Sequence, residues 1–531
     1  MFDLILRGGT VVDGTGGPAH MADVGIEADR ITAIGDLASA PGQQLDCRGL
    51  VISPGFIDMH SHTDFTILQV PDAHSKIRQG VTTEVVGNCG FSTFPIANER
   101  RDDFASFAAF LNPRMGLDWS SGKEFFERVE TVGTAVNLVP LVGHGTVRLT
   151  VMGMDPRRPT AEEIERMRAH VTAAFGDGAW GYSTGLIYAP CSYAQTDELA
   201  AVGQAASPFG GIYFTHMRDE GDRLLEAIEE ALSIGRSAAL RVQISHIKSA
   251  GARNWGKVRT ALEKVAEAQA AGQDVALDQY PYLAGSTTLT ALLPPACLEG
   301  GISSLLDNLH DPDFRARARQ GIQQGVPGWW NPVGGSGWES VVIAGADATP
   351  HYEGQTLSAI GAQIAGDGFD ALCHVLLENQ GAVSIVIFMM SEDDLRTGMQ
   401  HPLVMVGSDA FATSPDAGLG GSRPHPRTYG CYPRVLGTYV REHEVLPLEL
   451  AVHKMTGMPA RRLGLDERGE VREGAIADLV IFDPTTVAER ASYEDPQQYP
   501  AGISHVLVAG QAVVSDGHAT GARPGKVLRR A

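Results

Sequence analysis

Short apolar runs broken by Gly, Asp and Pro open the chain: FDLILRGGTVVDGT, ADVGIEADRITAIGD and QQLDCRGLVISP alternate Val, Ile and Leu with polar residues. Alternation at a period of two is the pattern of a small antiparallel β-structure. The same texture returns near the other end, in GEVREGAIADLVIFDPTT and GISHVLVAGQAVVSDGH. Two like ends flanking a different middle predict one β-sandwich built from both termini, residues 1–53 plus 463–531, around a separate unit at 54–462.

That middle alternates strand-like and helix-like segments, the pattern of βα units around a parallel sheet. The strand candidates are VTTEVVGNCG, AVNLVPLVGHG, AWGYSTGL, GGIYFTHMRDE, ALRVQISHIKSAG, DVALDQYPY, VSIVIFMMS and PLVMVGSDA. Between two of them, PTAEEIERMRAHVTAAFGDGA reads as an amphipathic helix. Thr160 and Glu163 form a capping-box pattern, Ile164, Met167, Val171 and Ala174 keep helical spacing, and Gly176 lies at the far end. Eight strands with helices between them predict a (β/α)8 barrel of the TIM type, whose chemistry sits where strands end and loops begin. Residues from about 284 to 350, rich in Gly and Pro, read as an insertion. The sequence carries no internal repeat.

At 531 residues the chain exceeds one ordinary domain, which a barrel with insertions and an appended domain absorbs. A net charge of −21 argues against nucleic acid or an anionic membrane surface as partner, since both are bound through basic patches. A small-molecule substrate is the expectation, with oligomeric state left open. No apolar run approaches the ~18 residues of a membrane span, and MFDLILRGG carries Asp3 and Arg7 where a signal-peptide core would be apolar. A cytoplasmic protein is expected. The six cysteines lie far apart, so each is read as a buried thiol or a ligand and not as part of a disulfide framework.

Chemistry enters with VISPGFIDMHSHTD, an apolar run that breaks at Pro54-Gly55 and resumes into His60 and His62. Alternate residues of a strand share a face, so H-x-H sets two imidazoles side by side, a geometry suited to a divalent metal. If the middle is a barrel, further ligands belong at later strand ends, and Cys89, His216, His246 and Asp409 stand there. Singly, each has an ordinary reading as a buried thiol, a core histidine or a helix cap. Four such sites after an H-x-H weaken those readings together.

Order and flanks resemble the D-aminoacylase (N-acyl-D-amino-acid deacylase) branch of the amidohydrolase superfamily over nearly the whole chain. The marks are PGFIDMHSHTD, GNCGFS, PLVGHGTVR, GYSTGLIYAP, FTHMRDE, SHIKSAG, DQYPYLAGST, GSDA and HPRTYG. Most of the superfamily joins two metals through a carboxylated lysine or a carboxylate, whereas this branch uses a cysteine. The residues agree: between Cys89 and His216 the only lysine is Lys123, in a polar run that reads as a surface helix. Cysteine with histidine is an ordinary zinc set. The resemblance implies that Cys89, His216 and His246 hold one tight zinc ion, and that His60, His62 and Asp409 line a second, weaker position.

The resemblance further implies hydrolysis of a linear amide, with Asp409 carrying the proton to the leaving nitrogen and Tyr188 donating to the developing oxyanion. Lys248, two residues after His246, shares its face on the strand period. With Arg427, Tyr280 and Ser286 it resembles the family's clamp for an α-carboxylate, although an ion pair with an acidic neighbour is the ordinary alternative for either cation. The side-chain pocket is expected beyond DQYPY, where Leu292 and Leu293 make the segment apolar and no Lys or Arg occurs from Pro281 to Phe314. Hydrophobic D-amino acids are the expected substrates. Rival readings are a D-dipeptidase, a cyclic amidase of the hydantoinase or dihydroorotase kind, and a non-catalytic scaffold on the same fold.

Overall fold

The computed structural model describes residues 1–111, 116–417, 419 and 423–530. Its centre is an eight-stranded parallel sheet of Phe56–Asp58, Val81–Val86, Asn137–Gly143, Gly181–Gly185, Ile212–His216, Arg241–Ile244, Val275–Gln279 and Val404–Val406, each hydrogen-bonded to the next. The ends of the first and last strands meet through a parallel bridge of Ser61 with Ala410, where His62 N donates to Ala410 O at 3.0 Å and Asp409 N to His60 O at 2.8 Å. The sheet is thus nearly closed into a barrel. Its strands are covered on both faces, which is why Val81–Val86 and Asn137–Gly143 are buried at every position and do not alternate.

The helix expected after Asn137–Gly143 spans Ala161–Asp177, with Thr160 and Glu163 closing a reciprocal capping box. It ends at Gly178, whose φ of 118° fits a C-terminal glycine, while Gly176 lies inside the helix.

One strand candidate falls elsewhere. In VSIVIFMMS, Ser384–Phe388 pairs antiparallel with both Ala284–Thr288 and Val341–Gly345 in a separate three-stranded sheet. The barrel takes Phe56–Asp58 instead, and Val275–Gln279 pairs directly with Val404–Val406. The insertion therefore runs past residue 350 to its last strand, Ser384–Phe388. It encloses an apolar core of its own, with Leu289, Leu305, Ile343, Leu357, Leu372 and Ile385 all buried.

The terminal strands form one nine-stranded sheet, in which Val51–Pro54 joins the two ends by pairing antiparallel with Leu479–Phe482. A register shift between Leu6 and Gly9 lets Phe2–Val11 pair with Gly42–Asp46 along one part and Val51–Pro54 along another. Ile26, Ile31, Ile52, Ile481 and Leu507 share its core. The last stretch leaves this sheet: Leu138 N donates to Lys526 O and Leu528 N to Leu138 O, so residues 525–528 lie along a barrel strand. Among the described residues no helix is long and apolar enough to cross a membrane.

Candidate active site

Cys89 follows Val81–Val86 in the loop GNCG, and its sulfur is the meeting point of the barrel mouth. His60 Nε2 lies 3.2 Å from Sγ, His246 Nε2 3.6 Å and His216 Nδ1 3.8 Å. Asp409 Oδ1 lies 3.2 Å from His62 Nε2 and 3.5 Å from His60 Nε2. Two overlapping groups result, His60–His62–Cys89–Asp409 and Cys89–His216–His246, each with donor atoms within 4.8 Å of one another.

Three of these residues sit in the left-handed region, with φ of 55° at Cys89, 36° at His246 and 51° at Asp409. Such backbone is uncommon without glycine and persists where surrounding structure enforces it, typically at functional sites. At Cys89 the enforcement is visible. A Cβ on Gly185 would lie 2.0 Å from the Cys89 carbonyl oxygen, and one on Gly90 2.8 Å from Gly185 N. The glycines of GNCG and YSTG are therefore required by backbones pressed together.

The donor set suits a divalent cation. Burial holds His216 and His246 well below the ordinary histidine range, so both rings are neutral with a free lone pair. Burial, reinforced by Asp409 and Glu220, pushes the Cys89 thiol well above its usual range, and an adjacent cation is what would hold it as a thiolate. Burial alone would raise the Asp409 carboxyl, yet the Arg427 guanidinium and the His60 and His62 rings outweigh it and keep Asp409 ionised.

Around these donors lie carboxylates absent from the sequence reading. Glu220 Oε1 is 3.0 Å from His246 Nδ1, and Oε2 is 3.6 Å from His216 Nε2. Glu220 thus faces the far nitrogen of each ring, while Lys248 Nζ stands between, 2.7 Å from His246 Nδ1 and 2.6 Å from Glu220 Oε1. Asp278 accepts from His246 N at 2.8 Å and lies 3.4 Å from His60 Nδ1. Deeper still, Lys76 Nζ contacts Asp58 at 2.8 Å, Glu84 at 3.1 Å and Ser408 Oγ at 2.8 Å, lacing the first strand end to the last. The available signals were faint: Glu220 stands four residues after His216, Asp278 shares the strand period with Tyr280, and nothing in the local pattern marks Lys76.

The expected substrate groups are distributed less simply. Arg427 Nη1 pairs with Asp409 at 2.8 Å, Nη2 donates to the Ser286 carbonyl, and the guanidinium lies 4.7 Å from the Tyr280 ring centroid. Lys248 is buried and its Nζ lies 2.6 Å from Glu220, so its charge is already matched inside the protein. Tyr188 shares a hydrogen bond of 2.9 Å with Thr287 and packs edge-on against His216. A cavity is lined by His62, Cys89, Tyr188, Ser286, Asp409 and Arg427 among others. Leu292 and Leu293 do not face it. Both are buried in the insertion's own core, because the short helix Leu289–Leu292 turns them inward, and Phe91, Phe110, Leu111 and Phe411 supply the apolar wall instead. Lys123 is exposed on the helix Gly122–Val132, as its polar surroundings implied.

A buried thiol ringed by imidazoles at the C-terminal mouth of a parallel barrel is an arrangement of metal-dependent hydrolases. The profile described as "Amidohydrolase family" matches residues 43–514, and the chain belongs to that family. Within it the chain belongs to the D-aminoacylase branch. It is 39% identical to a D-aminoacylase of Alcaligenes xylosoxydans xylosoxydans over 100% of this chain and 98% of that one. It superimposes on a D-aminoacylase structure described as having a binuclear metal centre, with a TM-score of 0.82 at 38% identity over the whole of both chains. A third relative is N-acyl-D-glutamate deacylase from Bordetella bronchiseptica, solved with zinc and a phosphonate mimic of the tetrahedral intermediate, at TM-score 0.83 and 34% identity over 99% of both chains.

Proposed function

We propose that the protein is a zinc-dependent hydrolase of N-acyl-D-amino acids with hydrophobic side chains, releasing the free D-amino acid and a carboxylate. The observation that carries the reading is the Cys89-centred cluster sharing one cavity with Arg427, beside relatives that bear this activity in their names. Cys89, His216 and His246 would hold the tight ion, and His60, His62 and Asp409 would line a weaker second position. Bound zinc polarises a carbonyl and lowers the pKa of water.

The remaining work falls to side chains. Asp409, kept ionised by Arg427, accepts a proton from the attacking water and delivers it to the leaving nitrogen. Burial holds the Tyr188 phenol well above its ordinary range, so it stays a donor and can turn from Thr287 to the developing oxyanion. Arg427, Lys248, Tyr280 and Ser286 receive the substrate carboxylate. Arg427 and Lys248 already face Asp409 and Glu220, so the incoming carboxylate shares them and does not meet unpaired cations.

Side-chain preference follows from charge. Among the described residues lining the cavity, Arg427 is the one cation, and it is engaged by Asp409. Arg218 is held by Glu230 at 2.9 Å, and Arg423 donates to the Glu494 carbonyl. Burying a second carboxylate without a partner costs several kcal/mol in order-of-magnitude terms. The test is kcat/KM for N-acetyl-D-leucine, N-acetyl-L-leucine and N-acetyl-D-glutamate on a preparation of measured zinc content. The D-leucine derivative is expected to lead. A better rate on D-glutamate overturns the side-chain assignment, and a better rate on L-leucine overturns the stereochemical one.

A further inference from the structure

Tyr188 stands on the stretch 186–194, between the strand Gly181–Gly185 and the helix Thr196–Gly203. At its start Leu186 N donates to the His216 carbonyl at 3.0 Å, and further on Ser192 N donates to the Tyr188 carbonyl at 2.8 Å. The stretch is thus a compact turn whose first end is fixed to the strand that carries His216. Its far end is fixed just beyond the same strand. Arg218, two residues after His216, donates from Nη1 to the Ser192 carbonyl at 3.1 Å and from Nη2 to the Ala194 carbonyl at 2.9 Å.

Glu230, on the helix Leu224–Ala238, sets the plane of that guanidinium, accepting from Nε at 2.9 Å and from Nη2 at 3.0 Å. It also accepts from Thr196 Oγ1 at 2.9 Å, at the start of the helix that follows the turn. A guanidinium carries its N–H groups in a rigid planar fork. Once the carboxylate fixes one edge, the positions of the two carbonyls at the other donors are fixed with it.

Among the described residues lining the catalytic cavity Arg218 does not occur; it lines a separate polar cleft with Thr196, Glu226 and Glu230. An effect of Arg218 on the reaction must therefore pass through the turn. The path is short: Arg218 to the Ser192 carbonyl, Ser192 N to the Tyr188 carbonyl, and the Tyr188 side chain at the cavity wall. A preorganised donor works by standing where charge develops, and a misplacement of about 1 Å can cost ~100-fold in rate.

We propose that Arg218 is a positioning residue, which sets where the Tyr188 hydroxyl stands relative to the cluster around Cys89. The inference rests on the deacylase reading, with Tyr188 as oxyanion donor, and adds to it the group that aims the donor.

The experiment compares Arg218→Met, Tyr188→Phe and the double variant on N-acetyl-D-leucine, with zinc content measured on each. Tyr188→Phe should lower kcat by ~100-fold or more, the usual loss of one oxyanion donor. Arg218→Met should lower kcat by ~10–100-fold, with KM and zinc content little changed. The double variant should be no slower than Tyr188→Phe alone, because a donor already removed cannot be misplaced. Losses that multiply overturn the proposal. So does loss of zinc from Arg218→Met, since Arg218 would then act on His216, and so does wild-type kcat in Tyr188→Phe. Circular dichroism checks folding. If Arg218→Met does not fold, Arg218→Lys decides: lysine lacks the planar fork, so its kcat should fall by less and that loss too should vanish beside Tyr188→Phe. A wild-type enzyme that hydrolyses no N-acyl-D-amino acid would instead remove the deacylase reading, and this proposal with it.

Discussion

Two half-sites meet at the Cys89 sulfur, and they are wired in opposite ways. On the side of His216 and His246 the nearby carboxylate, Glu220, stands behind the rings and faces their far nitrogens. On the side of His60 and His62 the carboxylate is Asp409 itself, among the donor atoms, and Arg427 holds its other oxygen at 2.8 Å. A carboxylate behind an imidazole makes it a better donor and leaves the coordination position open. A carboxylate already bound to a guanidinium must be shared before it can serve a cation. In the proposed reading, this difference would make one metal position tight and the other weaker, and would keep the proton carrier charged beside the first.

The comparison breaks most severely at the atom both halves share. Cys89→Ala should lose bound zinc and fall to background activity, with the far-UV circular dichroism spectrum retained. Atomic emission on the purified variant checks it, and full zinc content would show that the sulfur does not bridge the halves.

Asp409→Asn should spare the first half and disable the second. Tight zinc is retained, while turnover drops by ~100-fold or more, the usual loss when a general acid or base is removed. Wild-type turnover with zinc bound would take Asp409 out of the proton path.

Glu220→Gln sharpens the contrast from the other side, because it alters no donor atom. Zinc affinity at the tight position should weaken by ~10–100-fold, the range seen for groups that orient metal-binding histidines. Competition against a chromophoric chelator measures it. An unchanged affinity would mean that Glu220 serves only to neutralise Lys248.

Much of this was legible along the chain. The period-two texture of both ends anticipated a shared sheet, and VISPGFIDMHSHTD, GNCG, FTHMRDE, SHIK and GSDA each ended a barrel strand as their apolar runs suggested. Ser384–Phe388 misled because an apolar five-residue run reads alike in a parallel barrel and in a small antiparallel sheet. Leu292 and Leu293 misled for a related reason. Apolar composition says that a segment is buried, and not whether it is buried against a cavity or in a core.

What the sequence determined by itself are the local quantities: strand and helix periods, the capping box at Thr160, the H-x-H face, and the lack of any lysine but Lys123 between Cys89 and His216. The tertiary structure alone decided the pairings of buried charges between different strand ends and loops, Lys76 with Asp58 and Ser408, Glu220 with Lys248, and Arg427 with Asp409. The physical reason is that a periodic pattern is set by neighbours a few positions away. A buried charge instead takes its partner from whichever strand end the closed barrel brings within hydrogen-bonding reach, and no local spacing encodes that distance.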